Sequence, residues 1–481
     1  MSEDLPRKRQ RRELHSERLG SIDEHGKRVY IHPENVKGPW RDRRSITYWV
    51  LILVYFTLPW IHIGGKQIVL LDIFNREFTF FGTTFFSHDA PLVFYVFLIF
   101  VLIFGYITAQ WGRLWCGWGC PQTVFIDSVY LKIERWVEGK PRARRELDLS
   151  PNSFQKYLKK SIMSFLFLIV SMHLSHTFLG YFLGARELFF ITLSPPTENM
   201  ASFVAMLVLT GIIIFDFGWF REQFCIVVCP YGRMQSVMMD EHSLVVAYDN
   251  KRGEPRRDRG VIPKNEEGHC IDCYHCVKVC PTGIDIRRGS QLECIACTNC
   301  IDACDEIMEK VGLPKGLIRY DSQTEIEGKK RNFWRFRPLI YLVATVLAIG
   351  VFSYGIYSRG QLKVQFIRGS NSPFQVIKRS SGEAEIVNHY KLSVYYNGVE
   401  NYNLLFRPSA DYAENKLRIV TQKTPHPIIK GKKQKINLFF RFNKSILLNG
   451  RKNLKLKIFD GQNFKDAKFL REEEVSLVGP F

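Results

Sequence analysis

The stretch CIDCYHCVKVCP, residues 270–281, holds four cysteines spaced C-x2-C-x2-C-x3-C, and CIACTNCIDAC, residues 294–304, repeats the spacing. Short spacers let three thiolates of one run converge on three corners of an iron–sulfur cube. The fourth cysteine points away and caps the cube of the other run. The pattern therefore assigns Cys270, Cys273, Cys276 and Cys304 to one [4Fe–4S] cluster, and Cys294, Cys297, Cys300 and Cys280 to a second. Pro281 and the small loop residues help bend the chain around a bulky group. Two zinc knuckles are the competing reading, since zinc sites also use C-x2-C pairs. Three cysteines in register followed by x3-C, twice over, fit a two-cluster ferredoxin better. Asp305 follows Cys304 where a proline commonly sits, a departure that bears on cluster potential more than on cluster presence.

The remaining four of the twelve cysteines form two further pairs. Cys116 and Cys120 lie in RLWCGWGCPQT (113–123), and Cys225 and Cys229 open CIVVCPYGRMQSVMMD (225–240). Each pair reads C-x3-CP, follows an apolar run, and leads into an amphipathic stretch ending in Asp, a weak internal repeat. At i and i+4 on a helix, both thiols of a pair would face one way. If the two runs pack side by side, four sulfurs meet in a site suited to a soft centre: Cu(I), zinc or a further iron–sulfur cluster. Cysteine also packs as a small hydrophobe. Two matching pairs, each before a proline and beside a two-cluster insert, favour ligands. A disulfide is opposed by helical geometry and by a reducing compartment. Trp115, Trp118 and Trp219 near these pairs read as interfacial belt residues.

Five apolar windows of the 481-residue chain are long enough to cross a bilayer: Ile46–Ile63, Pro91–Trp111, Ser161–Phe182, Ala201–Phe220 and Pro338–Tyr357. Lipid cannot satisfy an open backbone, so helices are expected in all five. Formal net charge is +20, and its distribution orients the chain. Cations crowd PRKRQRR and RDRR in residues 1–44 and KPRARR and KYLKK in loop 112–160, whereas loops 64–90 and 184–200 hold only Lys66, Arg76 and Arg186. The positive-inside rule then places the N-terminus, loop 112–160 and segment 221–337 in the cytoplasm, and the segment after Ser358 outside. No cleavable signal peptide is expected, because the first apolar run follows a long charged leader and no small-residue cleavage site succeeds it. Attraction to anionic lipid explains the basic segments beside spans better than nucleic acid does. All twelve cysteines fall on the reducing side by this topology, the reverse of a disulfide scaffold.

The expected organisation is a multi-domain membrane protein. It comprises a disordered basic leader (1–44), a four-helix region with both C-x3-CP motifs (45–220), a cytoplasmic two-cluster ferredoxin-like insert (221–337), a fifth transmembrane helix (338–357) and an exterior β domain (358–481). The last rests on alternation in YKLSVYYNG, NKLRIVTQ, KKQKINLFFRF and NLKLKIFDG, with Asn-Gly and Asp-Gly turn signals. A small antiparallel β-sandwich in contact with a partner suits that pattern. His173 and His176, in SMHLSH within the third window, share a helix face. Ionisable groups in a span are functional candidates, here for haem or copper with Met172 nearby. A hydrogen bond to another helix is the simpler reading, and a haem would usually find a second pair of histidines. Asp216 in the fourth window is left unassigned.

Two membrane C-x3-CP motifs, an intervening double C-x2-C-x2-C-x3-C insert, a fifth apolar run and an exterior β segment together resemble the CcoG/FixG/RdxA family, from about residue 30 to the end. Either motif alone also occurs in membrane ferredoxins that pass electrons from quinol. The resemblance implies a multi-pass bacterial inner-membrane protein, N-terminus cytoplasmic and C-terminus periplasmic, whose C-terminal domain is immunoglobulin-like. It implies a role in assembling cbb-type haem–copper cytochrome oxidase. It further implies cupric reductase activity that supplies Cu(I) to a copper-exporting P-type ATPase, to copper chaperones and to oxidase assembly factors. Copper comes from the resemblance; the spacing does not show it.

The expected mechanism follows. Electrons pass through the two clusters to the thiolate site at the inner membrane face, where Cys116, Cys120, Cys225 and Cys229 bind copper and favour Cu(I) over Cu(II). A quinol-oxidising respiratory subunit and a non-catalytic assembly scaffold are the alternatives. No G-x-G-x-x-G in strand–helix context points to a nucleotide donor.

Overall fold

The computed structural model describes residues 30–85, 89–257, 268–358, 362–369, 372–378, 384–396, 402–409, 417–428, 433–464 and 466–480. The chain divides into two compact units, Met1–Tyr354 and Gly355–Phe481.

Among the described residues four helices are long and apolar enough to cross a membrane: Pro91–Trp111, Phe154–Leu183, Met200–Phe220 and Phe336–Tyr357. The longest begins at Ser153, whose side chain accepts from the Lys156 amide at 3.2 Å and so satisfies one free donor of its first turn. Apolar side chains such as Phe97, Val204 and Leu347 remain exposed on these helices, the surface that lipid covers.

The first expected window behaves differently. Its helix runs Pro39–Thr57, with Arg41, Asp42, Arg43 and Arg44 at its start, and a 3-10 turn, Leu58–Trp60, follows it. Tyr48 and Ile52 from this helix pack with Val124, Phe125, Tyr130, Phe167 and Leu174 in one core. The loop read as 64–90 contains strands: a hairpin, His62–Ile63 with Lys66–Gln67, closed by Gly64 and Gly65 at positive φ, and a three-stranded sheet, Val69–Asp72, Glu77–Phe80 and Thr83–Phe85.

The leader expected to be disordered through residue 44 is corrected in part. Residues 1–29 lie outside the described residues, but His32, Val36 and Arg44 are buried. Val36 packs on Val279 and Ala303 of the insert, which is what orders this segment.

The insert is built of short helices, His275–Lys278 and Asn299–Lys310, over a two-stranded sheet, Val245–Tyr248 with Ile318–Asp321. Its core joins Val246, Tyr248, Leu317 and Ile318 to Cys270, Cys276, Ala296, Ile301 and Met308, with Cys294, Cys300 and Cys304 packed against it.

The described residues of the second unit form two antiparallel sheets. One is ordered Leu417–Thr421, Lys433–Asn443, Ala384–Tyr396 and Leu362–Arg368, with Gln375–Lys378 also paired to Ala384–Tyr396. The other is ordered His426–Ile428, Tyr402–Pro408, Arg451–Asp460 and Lys468–Val478. Period-2 alternation drives both faces inward: Ile436, Leu438, Phe440 and Phe442 from one sheet and Leu454, Leu456 and Ile458 from the other are buried in a single core. The Asn397-Gly398 turn signal lies outside the described residues.

Candidate functional site: two sulfur-lined cavities and a membrane-face thiol group

The two ferredoxin runs fold alike. In C-x2-C-x2-C the third and fifth positions take positive φ in both copies: Asp272 (52°) and Tyr274 (57°) in the first, Ala296 (53°) and Thr298 (63°) in the second. Left-handed residues between the cysteines curl the loop so that successive thiols turn inward. Cys270, Cys273, Cys276 and Cys304 line one cavity. Cys280, Cys294, Cys297 and Cys300 line another, and Cys276 borders both. The crosswise grouping expected from spacing is thus the grouping of the cavity walls. All twelve cysteines are free thiols, and Cys273 alone among them is exposed.

Packed together away from water, Cys276, Cys280, Cys294, Cys300 and Cys304 resist ionisation. Burial and then Cys270 and Cys273 push Cys304 up to about 12. Burial and Cys297 push Cys280 up to about 12, and burial raises Cys294 to about 11. Four such thiols are thiolates together only around a cationic centre, so the donor set fits an iron–sulfur cluster in each cavity. Among the described residues no three His, Cys, Asp or Glu side chains are arranged to hold a single metal ion.

The two C-x3-CP motifs are backbone copies of one another. Gly112 (φ 55°, ψ −124°) ends the first preceding helix and Arg221 (φ 50°, ψ −123°) ends the second. Cys120 (−67°, 124°) and Cys229 (−68°, 112°) each cap a helix whose first residue is proline. A residue before proline is driven out of the helical region, so each pair straddles a break. This corrects the expectation of one continuous helix. Cys116 lies in the Leu114–Trp118 helix, and Cys225 in a π-helical turn, Phe224–Val228.

The motifs interlock reciprocally. Gln122, after the first, donates to the Asp216 carboxylate at 2.9 Å and the Arg221 carbonyl at 3.2 Å. Tyr231, after the second, shares a 2.7 Å hydrogen bond with Thr108. The Cys116 thiol lies 3.8 Å from the side-chain oxygen Oε1 of Gln235, to which it donates. Cys116 senses Cys120 and Cys229, while Cys225 senses Cys120, Cys116 and Cys229. The four thiols therefore lie within electrostatic reach of one another. Burial, then Cys120, pushes Cys116 up to about 12, and burial raises Cys120 and Cys225 as well.

This group abuts the second cavity. Gly117, between Cys116 and Cys120, packs on the backbone of Ile295 and Ala296, between Cys294 and Cys297. The Tyr48 hydroxyl donates to the Gly117 carbonyl, and Arg113 donates to the Cys294 carbonyl at 2.7 Å. Trp118 Nε1 donates to the Tyr320 hydroxyl at 3.2 Å, which in turn donates to the Ala296 carbonyl at 3.0 Å.

The histidines sit elsewhere. His173 stacks on Phe56, ring centroids 4.7 Å apart, and His176 shares a 3.1 Å hydrogen bond with Thr192. Neither lines a sulfur cavity.

Sequence reasoning missed the charged residues that hold the motifs. Arg41 and Arg44 both engage Asp127, and Arg335 engages Asp240, the two aspartates that close the repeated stretches. Glu134 receives Arg144 and Arg221. RDRR read as an orientation signal, and nothing in the pattern marked Arg44 as buried.

A 4Fe-4S dicluster domain model matches residues 220–323, which contain all eight ferredoxin cysteines and the second C-x3-CP motif. A 4Fe-4S binding domain model matches residues 92–142, around the first. The chain is 37% identical over 396 residues to nitrogen fixation protein FixG of Rhizobium meliloti (strain 1021), covering 73% of this chain and 74% of that one. It is 37% identical over 339 residues to protein RdxB of Cereibacter sphaeroides (66% of this chain, 69% of that one). To protein RdxA of the same organism it is 35% identical over 335 residues, with the same coverage. With its apolar helices and paired sulfur cavities, the chain belongs to the FixG/RdxA family and is a membrane iron–sulfur electron-transfer protein.

Proposed function

We propose that this protein reduces Cu(II) to Cu(I) at the thiol group Cys116, Cys120, Cys225 and Cys229, and that the Cu(I) serves assembly of a cbb-type haem–copper cytochrome oxidase. Cys270, Cys273, Cys276 and Cys304 hold one cluster and Cys294, Cys297, Cys300 and Cys280 the other; bound there, the clusters supply single electrons. The observation that carries this reading is the contact of Gly117 with the Ile295–Ala296 backbone, which joins the second sulfur cavity to the membrane thiols.

The membrane thiols do the rest. Soft sulfur donors bind Cu(I) better than Cu(II), so the site favours the reduced ion: Cu(II) gains one electron, and no bond within the protein breaks. Burial keeps Cys116, Cys120 and Cys225 protonated in the free protein, so metal binding there releases protons. In this reading the first window, Ile46–Ile63, is also a span, which makes five with Pro338–Tyr357 as the last. The leader, loop 112–160 and insert face the cytoplasm, and an immunoglobulin-like domain from Ser358 onward faces the periplasm. Copper passes to a copper-exporting P-type ATPase, to chaperones and to oxidase assembly factors.

The test replaces all four membrane cysteines with serine and assays copper reduction by the purified protein beside its iron content. Loss of reduction with about eight irons retained supports the proposal; undiminished reduction removes it.

The match of a 4Fe-4S binding domain model to residues 92–142 favours a second reading. Here the membrane thiols hold a further cluster in a quinol-oxidising respiratory subunit. About twelve irons per chain, with quinol-dependent reduction in the absence of copper, distinguishes it.

A further inference from the structure

We propose that Arg44 is a positioning residue that sets the reduction potential of the cluster held by Cys280, Cys294, Cys297 and Cys300. This rests on the iron–sulfur assignment and is independent of copper.

Arg44 stands at the start of the Pro39–Thr57 helix, yet its side chain is almost fully buried, at 1% exposure. It reaches into the second cysteine run: one terminal nitrogen donates to Asn299 Oδ1 at 2.8 Å and to Asp127 at 2.9 Å. Asn299 lies between Cys297 and Cys300 and donates back to the Val279 carbonyl, beside Cys280, at 3.3 Å. Arg44 also lines a cavity whose wall includes Cys297, Ile295 and Pro281. Its Nε and second terminal nitrogen have no hydrogen-bond partner there. Burial opposes its charge, which Asp127 and, less strongly, Tyr48 and Cys297 hold.

A buried cation with unused donors beside a cluster ligand acts on the cluster in a definite direction. Reduction adds one negative charge to the cluster. A fixed positive charge close by stabilises the reduced form, and local charge and hydrogen bonding are established controls of cluster potential. Asp127, which faces Arg44 together with Arg41, opposes the effect. The first cavity has its own cation, Arg287, but two carboxylates, Asp272 and Asp285, bind it. The two clusters are therefore tuned separately, the inner one, held by Cys280, Cys294, Cys297 and Cys300, by a residue delivered from the Pro39–Thr57 helix.

The experiment is a redox titration, followed by electron paramagnetic resonance, of the full-length protein in detergent with no copper present. Arg44→Gln is expected to lower the reduced-to-oxidised ratio of the inner cluster at fixed potential about tenfold, a fall of about 59 mV for a one-electron couple. The outer cluster should stay unchanged, and Arg44→Lys should restore most of the difference. Asp127→Asn should move the same cluster the opposite way. It remains informative if Arg44→Gln fails to assemble. Equal shifts in both clusters, shifts of the same sign in Arg44→Gln and Asp127→Asn, or no rise in Asp127→Asn would overturn the proposal.

Discussion

Gly117 lies so close to Ala296 that a Cβ built on it would stand 2.4 Å from the Ala296 carbonyl oxygen and 2.8 Å from its carbonyl carbon. Backbone cannot swing aside as a side-chain end can, so only glycine allows this approach of a membrane motif to a cluster loop. Gly117→Val is expected to wedge the two apart at a cost of about 1–3 kcal/mol in stability. The clusters should remain, reducible by dithionite, while transfer from them to the membrane thiol site falls at least tenfold. Stopped-flow reoxidation by Cu(II), with iron content as the control, measures this. An unchanged rate means the contact is not the route.

Crosswise ligation gives a prediction with two arms. Cys304 follows the second run but borders the cavity of the first, and Cys280 follows the first run but borders the cavity of the second. Cys304→Ser should perturb the same resonance signal as Cys273→Ser, and Cys280→Ser the same signal as Cys297→Ser. Spectra that instead pair Cys304→Ser with Cys297→Ser would show each run closing its own site.

Much of this arrangement was legible in the sequence because ligand geometry leaves its mark on spacing. The double run placed eight cysteines around two cavities, and both C-x3-CP motifs marked backbone copies. Alternation in residues 432–442 and 453–461 marked two strands with buried faces. What stayed hidden depends on partners distant in sequence. Arg44 looks like one more cation in RDRR until Asn299 and Asp127 are seen to hold it. Arg221 occupies, at φ 50°, the place that Gly112 fills in the other copy, which no pattern of residue types announces. The i, i+4 argument for Cys116 and Cys120 failed locally, because Pro121 pushes Cys120 into extended backbone.

The leader segment gives a pH dependence. His32 is buried and shares a 3.0 Å hydrogen bond with Asp148. Burial and the nearby Arg144 charge lower its pKa and outweigh Asp148, which raises it. The unfolded chain therefore takes up the proton first as pH falls. The neutral-histidine contribution is present in full above the unfolded value of about 6.5 and is lost as pH falls from there through the lower folded value. Thermal midpoints in detergent should drop more between pH 7.5 and 5.5 for the native protein than for His32→Gln. Equal drops would place the pH dependence elsewhere.

Glu134 is the last test, because it bears two buried arginines. Arg144 and Arg221 both bind its carboxylate, all three side chains are about 98% buried or more, and Tyr30 adds a 3.3 Å hydrogen bond from its hydroxyl. Removing the charge strips Arg221 of its paired carboxylate and leaves Arg144 only Glu138, at 3.6 Å, so Glu134→Gln should cost about 3–5 kcal/mol. Arg221 adds a second effect, since its positive φ strains any residue but glycine. Arg221→Gly gives up the ion pair but relieves that strain and recreates the Gly112 backbone of the other motif. Glu134→Gln in the Arg221→Gly background should then cost clearly less than in the native protein, with a coupling of about 1–3 kcal/mol in a double-mutant cycle. Denaturation in detergent measures all four corners. Additive effects would mean that Glu134 serves Arg144 alone, and that the second C-x3-CP motif is held by its backbone and not by this carboxylate.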